Sequence, residues 1–276
     1  MIWIITGICL FVLILAAIYL FLIGPDTNRE RKQKMKPYED NYIAHRGYFD
    51  NKEIPENSLP AFVKAVENGF GIELDVQLSS DGYLVVFHDE DLKRMCGIEK
   101  NIRDMTLEEL QSTRLLGTNE TIPLFEDVLT VVGGKVPLIV EVKYEGDVIA
   151  ITKATAEMMD HYQGEWCMES FDPRSVEWFK KNRPQIIRGQ LSTDYFKDHL
   201  EQTPVVKFLL SNLMLNILGR PDFIAYNHAY VPHLSLFLCR NLFGAKMVAW
   251  TIKNKEQMTK AKKRFSVIIF DSFDPR

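Results

Sequence analysis

The sequence predicts a (β/α)8 barrel carried behind an N-terminal transmembrane helix. Two observations support this. An uncharged apolar stretch opens the chain. From Asn41 onward, short β-type runs alternate with helical patterns about eight times over roughly 235 residues, the size of such a barrel. A third observation narrows the function: charged side chains interrupt the apolar runs where strands would end.

The opening stretch, Ile2 to Ile23, reads IWIITGICLFVLILAAIYLFLI and contains no charge. As a helix it is about 33 Å long, against roughly 30 Å for a hydrocarbon core. A cleaved signal peptide is the competing reading, but no basic n-region, shorter apolar core or small-residue cleavage site is clear. A retained anchor, residues 1–24, is therefore expected. Arg29, Arg31, Lys32, Lys34 and Lys36 follow it. By the positive-inside tendency, the rest of a single-pass cell-membrane protein then lies on the cytoplasmic side. Residues 25–40 read as a basic linker able to rest on anionic headgroups. The barrel occupies residues 41–276.

Its strand candidates follow in order. YIAHR comes first, then a helix that Asn57 or Ser58 can cap, with Pro60 in its first turn and Gly69 at its end. GIELDVQL and YLVVFHD are separated only by SSDG. That is a hairpin connection, because a parallel crossover needs a dozen or more residues. YLVVFHD is thus an extra antiparallel arm. PLIVEVK, EWCMES, IIRGQL, DFIAYN, KMVAWTI and SVIIFDS complete eight barrel strands. A doubly wound sheet is the alternative, yet no glycine-rich phosphate fingerprint follows the first strand. The segment KDHLEQTPVVKFLLSNLMLNILGRPD is longer and more apolar than its neighbours. It reads as packing, with an amphipathic face towards a membrane as the alternative.

Apolar content of 46%, charged content of 25% and a net charge of −4 fit a globular protein and give no basic face for nucleic acid. Cys9, Cys96, Cys167 and Cys239 are widely spaced, as reduced packing thiols are.

Catalytic groups in such barrels sit at the C-terminal ends of strands. His45 and Arg46 end the first strand, and His88 and Asp89 end the arm. Glu73 and Asp75 lie at i and i+2, so they share a face, as do Glu141 and Lys143. Three inward carboxylates are costly unless compensated, and one divalent cation, Mg²⁺ or Ca²⁺, is the simplest compensation for an oxygen-only ligand set. The alternative is that each acid pairs with an arginine or lysine. Two histidines beside a cation and an arginine suit acid–base chemistry on a phosphodiester, with charge clamps for the phosphoryl group. His161 and His199 read as surface residues, His228 as a pocket candidate and His233 as a loop residue.

AHRG, PEN, IELDVQLSSDG, VVFHDEDLKR, IPLFEDVL, VEVK, SFDP and WTI together resemble the glycerophosphodiester phosphodiesterase family, from about Ile43 to the C-terminus. The resemblance implies a (β/α)8 barrel with a small insertion after the HD motif, here about residues 92–121. It implies His45 and His88 as general acid and base, and Glu73, Asp75 and Glu141 as ligands of the divalent ion. Arg46 and Lys143 would contact phosphate. Glu56 is either a further ligand or an organiser of the helix start beside Asn57, and Trp250 packs against glycerol or in the core. Ser58 stands where the family has threonine, and KKRFSVIIFDS replaces its glycine-aspartate-glycine. The implied activity is hydrolysis of glycerophosphodiesters to glycerol 3-phosphate and an alcohol. Lysophospholipid cleavage of the phospholipase D type is the variant that a membrane anchor favours. A catalytically idle, membrane-anchored phosphate-binding module is the reading from another class.

Overall fold

The structure, a computed structural model, describes residues 1–276. Helix α1 (Ile2–Ile23) is followed by two short helices, α2 (Arg29–Gln33) and α3 (Lys36–Glu39). The barrel begins with β1 (Ile43–His45), α4 (Leu59–Glu67) and the hairpin β2 (Gly71–Leu78) and β3 (Leu84–Val86). Helices α5 (Lys93–Cys96) and α6 (Leu107–Gln111) lie between β3 and α7 (Phe125–Val132). Then come β4 (Leu138–Val142), α8 (Val148–Met159), β5 (Trp166–Ser170), α9 (Pro173–Asn182) and β6 (Ile187–Ser192). Helices α10 (Pro204–Ser211) and α11 (Asn216–Gly219) precede β7 (Phe223–Asn227). The chain ends with α12 (Leu234–Asn241), β8 (Lys246–Ile252), α13 (Lys255–Ala261) and β9 (Val267–Phe270).

Eight strands run parallel in the order β1-β9-β8-β7-β6-β5-β4-β2, and β1 also pairs with β2, which closes the barrel. The β3 strand lies outside the barrel and pairs antiparallel with β2, with Gln77 opposite Val85. The alternation that predicted the barrel, and the tight turn that set one strand outside it, are both realised. The α4 helix is capped by Ser58, whose Oγ accepts from the Ala61 amide at 3.4 Å.

Strand pleating divides the buried residues. Ile72, Leu74, Val76, Val140 and Val142 face the helices in the larger core. Ile43, Ile139, Cys167, Ile187, Ala225, Val248 and Ile269 fill the barrel interior. Met35 and Tyr38 of the basic segment join this interior cluster, so α3 plugs the base of the barrel. Burying a side chain such as Met35 stabilises by about 1.5–3 kcal/mol. The segment between β3 and α7 has its own small core of Leu92, Met95, Ile102, Met105, Leu110 and Leu115 with Val85 and Phe87.

The basic side chains after α1 mostly turn onto the barrel. Arg31 bridges to Asp222 at 2.5 Å, Lys32 donates to the Phe243 carbonyl at 2.6 Å and Lys34 to that of Gln185 at 3.5 Å. Lys36 pairs with Asp40 in the next turn.

Candidate metal and acid–base site

Parallel register sets the layer in which the charges meet. His45 lies opposite Glu73, Asp75 opposite Glu141, and Glu141 opposite Glu169. These residues continue the inward parity of Ile43, Ile139 and Cys167, one layer nearer the C-terminal ends of the strands. The mouth of the barrel is therefore charged where its base is apolar.

Single ligand oxygens of Glu73, Asp75 and Glu141 lie within 4.8 Å of one another, and all three side chains are buried. Lys143 Nζ sits between two of them, 2.9 Å from Glu141 Oε1 and 3.1 Å from Asp75 Oδ1. Pairing of acids with basic residues is thus partly present. Glu73 has less: the Arg46 backbone N–H donates to its Oε2 at 3.2 Å, and His45 Nε2 stands 3.9 Å away.

The ionisation equilibria follow from this arrangement. Burial, then the charges of Asp75, Glu141 and Glu169, push the Glu73 carboxyl well above the usual range. Burial also lifts Glu141 to about 7, against the pull of Lys143. Burial pushes Asp75 upward too, but Lys143, His88, Arg46 and the Asn57 amide outweigh it and hold the carboxyl low. Burial alone would lower Lys143, yet Asp75 and Glu141 raise it and keep it charged.

A turn delivers Arg46. Arg46 and Gly47 have φ of 55° and 83°, in the left-handed region that costs a residue with a side chain. A Cβ on Gly47 would stand 2.9 Å from the Ala61 backbone, so only glycine lets the turn close against α4. The Asn57 amide braces it by donating to the Arg46 carbonyl at 2.9 Å. The guanidinium reaches Glu56 at 2.5 Å and approaches Asp75 Oδ2 at 3.6 Å. Asn57, itself at φ 53°, donates through Nδ2 to Asp75 Oδ2 at 2.8 Å.

His88 is oriented by a chain of ionic contacts. Its Nδ1 lies 2.6 Å from Asp89 Oδ1, and Arg94 Nε donates to Asp89 Oδ2 at 2.6 Å. Arg94 also donates twice to Glu56, at 2.6 and 3.0 Å, and Asn51 donates to the same carboxylate at 2.9 Å. Glu56 is held down to about 2: burial raises it, and the Arg94 hydrogen bonds and Arg46 charge overcome that. Glu56 thus joins Arg46, Arg94 and Asn51. With Asp89 at Nδ1, the tautomer leaves His88 Nε2 unprotonated. Burial, reinforced by neighbouring cations, lowers both His45 and His88, so both are neutral near pH 7.

Glu169 escaped the sequence reading. It is buried opposite Glu141, its Oε2 has no hydrogen-bond partner, and burial followed by Glu141 and Asp75 holds its carboxyl high. A glutamate inside the apolar run WCMES was the available signal. Aromatic side chains also gather at the mouth. Trp250 packs edge-on to Phe171 with ring centroids 5.6 Å apart, and Phe171 meets Tyr195 and Tyr144 at 6.4 Å. The Trp250 indole N–H is buried without a partner. His228 lies on a short 3-10 turn after β7, and His233 stacks 5.6 Å from Tyr226.

Buried carboxylate oxygens in excess of their cationic partners, with no soft ligand among them, form a donor set suited to a hard divalent cation. Beside it stand two neutral imidazoles and two fixed cationic side chains.

Comparison with known proteins identifies the family and the fold. Residues 45–274 match the Glycerophosphoryl diester phosphodiesterase family. A glycerophosphodiester phosphodiesterase of Caldanaerobacter subterraneus is 33% identical over 231 residues, covering 78% of this chain and 87% of that protein. The crystal structure of a glycerophosphodiester phosphodiesterase from Thermotoga maritima aligns with a TM-score of 0.65 at 26% identity, covering 84% of this chain and 95% of that one. An Oleispira antarctica phosphodiesterase, solved with the product sn-glycerol-3-phosphate, shares the fold with a TM-score of 0.68 at 23% identity over 84% and 92% of the two chains.

Proposed function

From the premise that this chain belongs to the glycerophosphoryl diester phosphodiesterase family, a family of phosphoric diester hydrolases, we propose a specific division of labour at its barrel mouth. The substrate is a glycerophosphodiester, and the products are glycerol 3-phosphate and an alcohol. The observation that carries this is the cluster of Glu73, Asp75 and Glu141 beside His45 and His88.

Glu73, Asp75 and Glu141 would hold Mg²⁺ or Ca²⁺, with Asn57 fixing the Asp75 carboxylate and Glu169 adding negative charge behind it. When bound, the cation supplies positive charge against the phosphoryl oxygens. Arg46 and Lys143 add fixed positive charge on the same side, and neither has to move to do so. One neutral histidine takes the proton of the attacking oxygen. Its counterpart, protonated when the anionic diester arrives, gives a proton to the leaving alcohol as the P–O bond breaks. Asp89 orients His88 for this exchange, and Arg94 and Glu56 keep Asp89 in place. Trp250 and Phe171 form an apolar wall for the glycerol moiety.

Hydrolysis in ¹⁸O-enriched water tests the reading directly. Glycerol 3-phosphate should carry the label and the released choline or ethanolamine should not. Label in the alcohol, or release of free glycerol, would contradict it.

A second substrate class is favoured by one observation. A groove of about 500 Å³ is lined by apolar side chains such as Tyr144, Phe171 and Val206 and by polar ones such as Glu145, Asp172 and Glu201. It has room for part of an acyl chain, which suits lysophospholipids. Helix α1, with mean hydropathy 2.8 and its spanning window unburied, is read as a single membrane anchor. The barrel is assigned to the cytoplasmic side on the basic residues that follow α1. An idle binding module is disfavoured because both histidines and all three acids are present.

A further inference from the structure

The way α1 docks fixes which end of the barrel meets the membrane. Its last turn is built into the fold: Ile23 is fully buried, and its carbonyl accepts from Asn216 Nδ2 at 2.9 Å and from Cys239 Sγ at 3.4 Å. One turn earlier, the Tyr19 hydroxyl meets Ser235 Oγ at 2.7 Å. Along α12, Ser235 belongs to the first turn, next to the mouth, and Cys239 lies one turn nearer the base. Tyr19 to Ile23 therefore runs from mouth to base. The chain confirms this direction immediately, since the Asp26 amide donates to the Pro221 carbonyl at 2.9 Å, at the base end of β7.

Residues 1–18, all exposed, consequently project from the mouth side. Eighteen residues of helix measure about 27 Å, close to a hydrocarbon core of roughly 30 Å, so no spacer remains between bilayer and barrel. Where the helix leaves, the rim is apolar. Phe196, Val205, Phe208, Leu234 and Phe237 are 47% to 68% exposed. All lie in segments that follow the mouth ends of β6 and β7; Phe237 is the lowest of them, about one turn down α12 from Leu234 and beside Arg240, Lys263 and Arg264. Helix α10 lies across this rim. Its end is pinned to the mouth by Ser192 Oγ donating to the Leu210 carbonyl at 3.0 Å, and by the Tyr195 amide donating to Ser211 Oγ at 2.9 Å.

We propose that this rim, Phe196, Val205, Phe208, Leu234 and Phe237, rests in the lipid interface, so that the catalytic mouth opens onto the same bilayer that α1 spans. The inference rests on reading α1 as a membrane anchor. Its occupant is lipid rather than a second protein, because the apolar rim is continuous with the exit of a helix that already requires hydrocarbon around it. Substrates dissolved in the bilayer would then meet the groove that Val206 and Leu210 of α10 help to line directly from the interface. The basic helices α2 and α3 sit at the opposite end, away from the headgroups.

The test uses the full chain in phosphatidylcholine vesicles that contain a diazirine-bearing phosphatidylcholine. After illumination, lipid adducts should map to α1 and to the peptides carrying Phe196, Val205, Phe208, Leu234 and Phe237, and be absent from α2 and α3. Adducts on α1 alone, or on α2 and α3, would overturn the proposal while leaving the anchor. A chain without adducts on α1 that washes from the vesicles would overturn both. Dimerisation through this rim, with no lipid adducts there, would give the face to a second copy. The double variant F208D/F237D supplies a kinetic reading. It should slow hydrolysis of vesicle-borne lysophosphatidylcholine by about tenfold or more, with soluble glycerophosphocholine turned over as before. Equal loss on both substrates would contradict the proposal.

Discussion

Two ionic clusters sit at opposite ends of this barrel, and they differ in balance. At the base, Asp26 and Asp222 meet Arg31 and Arg188. Arg31 clasps Asp222 at 2.5 and 2.6 Å, Arg188 donates its backbone N–H to the same carboxylate at 3.0 Å, and its guanidinium reaches Asp26 at 3.4 Å. Two acids face two bases, and spare donors end on carbonyls such as that of Gly219. At the mouth, Glu73, Asp75, Glu141 and Glu169 face Lys143 and Arg46, and Arg46 is shared with Glu56. Asp222 and Arg188 are as buried as the acids of the mouth, while Asp26 and Arg31 are partly exposed, so burial of the central pair does not by itself separate the two clusters. Charge balance does: the balanced cluster holds structure together, and the unbalanced one could hold a divalent cation.

The comparison can be broken in four ways. The largest effect expected is catalytic. His45→Ala or His88→Ala should lower kcat by about 10²–10⁴-fold, with thermal unfolding little changed. Activity retained in both variants would remove the acid–base assignment.

Next comes the base. Asp222→Ala leaves Arg31 and Arg188 without their shared partner and should cost about 3–5 kcal/mol of stability. Turnover by the folded fraction should be unchanged. A variant that kept its stability and lost turnover would reverse the contrast between the two ends.

Glu141→Gln sharpens it. Removing one of several mutually repelling carboxylates should leave the chelated protein at least as stable as before, unlike any removal at the base. The same change should abolish the rise in Tm that Mg²⁺ or Ca²⁺ gives the parent, worth about 2.7 kcal/mol at a hundredfold excess over Kd.

The smallest effect is in pH. Glu141 ionises at about 7 in the fold, against 4.5 ordinarily, so below pH 7 a proton must leave before a cation binds. In chelated protein the folded form holds that proton more tightly than the unfolded chain. The group's contribution to stability therefore falls as pH rises from about 4.5 to about 7. Cation binding works in the opposite sense. The Tm difference between metal-loaded and chelated protein should be full at pH 8 and shrink towards pH 6. Comparing the two forms at each pH removes titrations that the cation does not touch. A difference independent of pH would mean that Glu141 is not a ligand.

Much of the mouth was legible in the sequence because its residues are anomalies. A strand such as GIELDVQL has no reason to carry two acids on one face unless that face is used. The strands themselves were legible from their apolar runs, and the SSDG turn was enough to place YLVVFHD outside the barrel. Glu169 was missed because one glutamate in WCMES is unremarkable until the register sets it opposite Glu141. Asn57 could be read as a helix cap, and the structure gives the cap to Ser58 and turns Asn57 towards Asp75. The base was hidden for a different reason. In RERKQKMKPYED the charges dominate the pattern, so Met35 and Tyr38 gave no periodic signal of the plug they form. The membrane-facing rim was least legible, since Phe208 or Phe237 reads like any core residue until its neighbours are known.

The most direct test of the central claim, that uncompensated acids at the mouth form a cation site required for phosphodiester hydrolysis, is one assay on the full chain and its Asp75→Asn variant. Both are stripped with chelator, and release of glycerol 3-phosphate from glycerophosphocholine and glycerophosphoethanolamine is followed as Mg²⁺ or Ca²⁺ is restored. Release should be absent without metal, recover on its return, and stay absent in the variant. Equal turnover with and without metal, or full recovery in Asp75→Asn, would contradict the account.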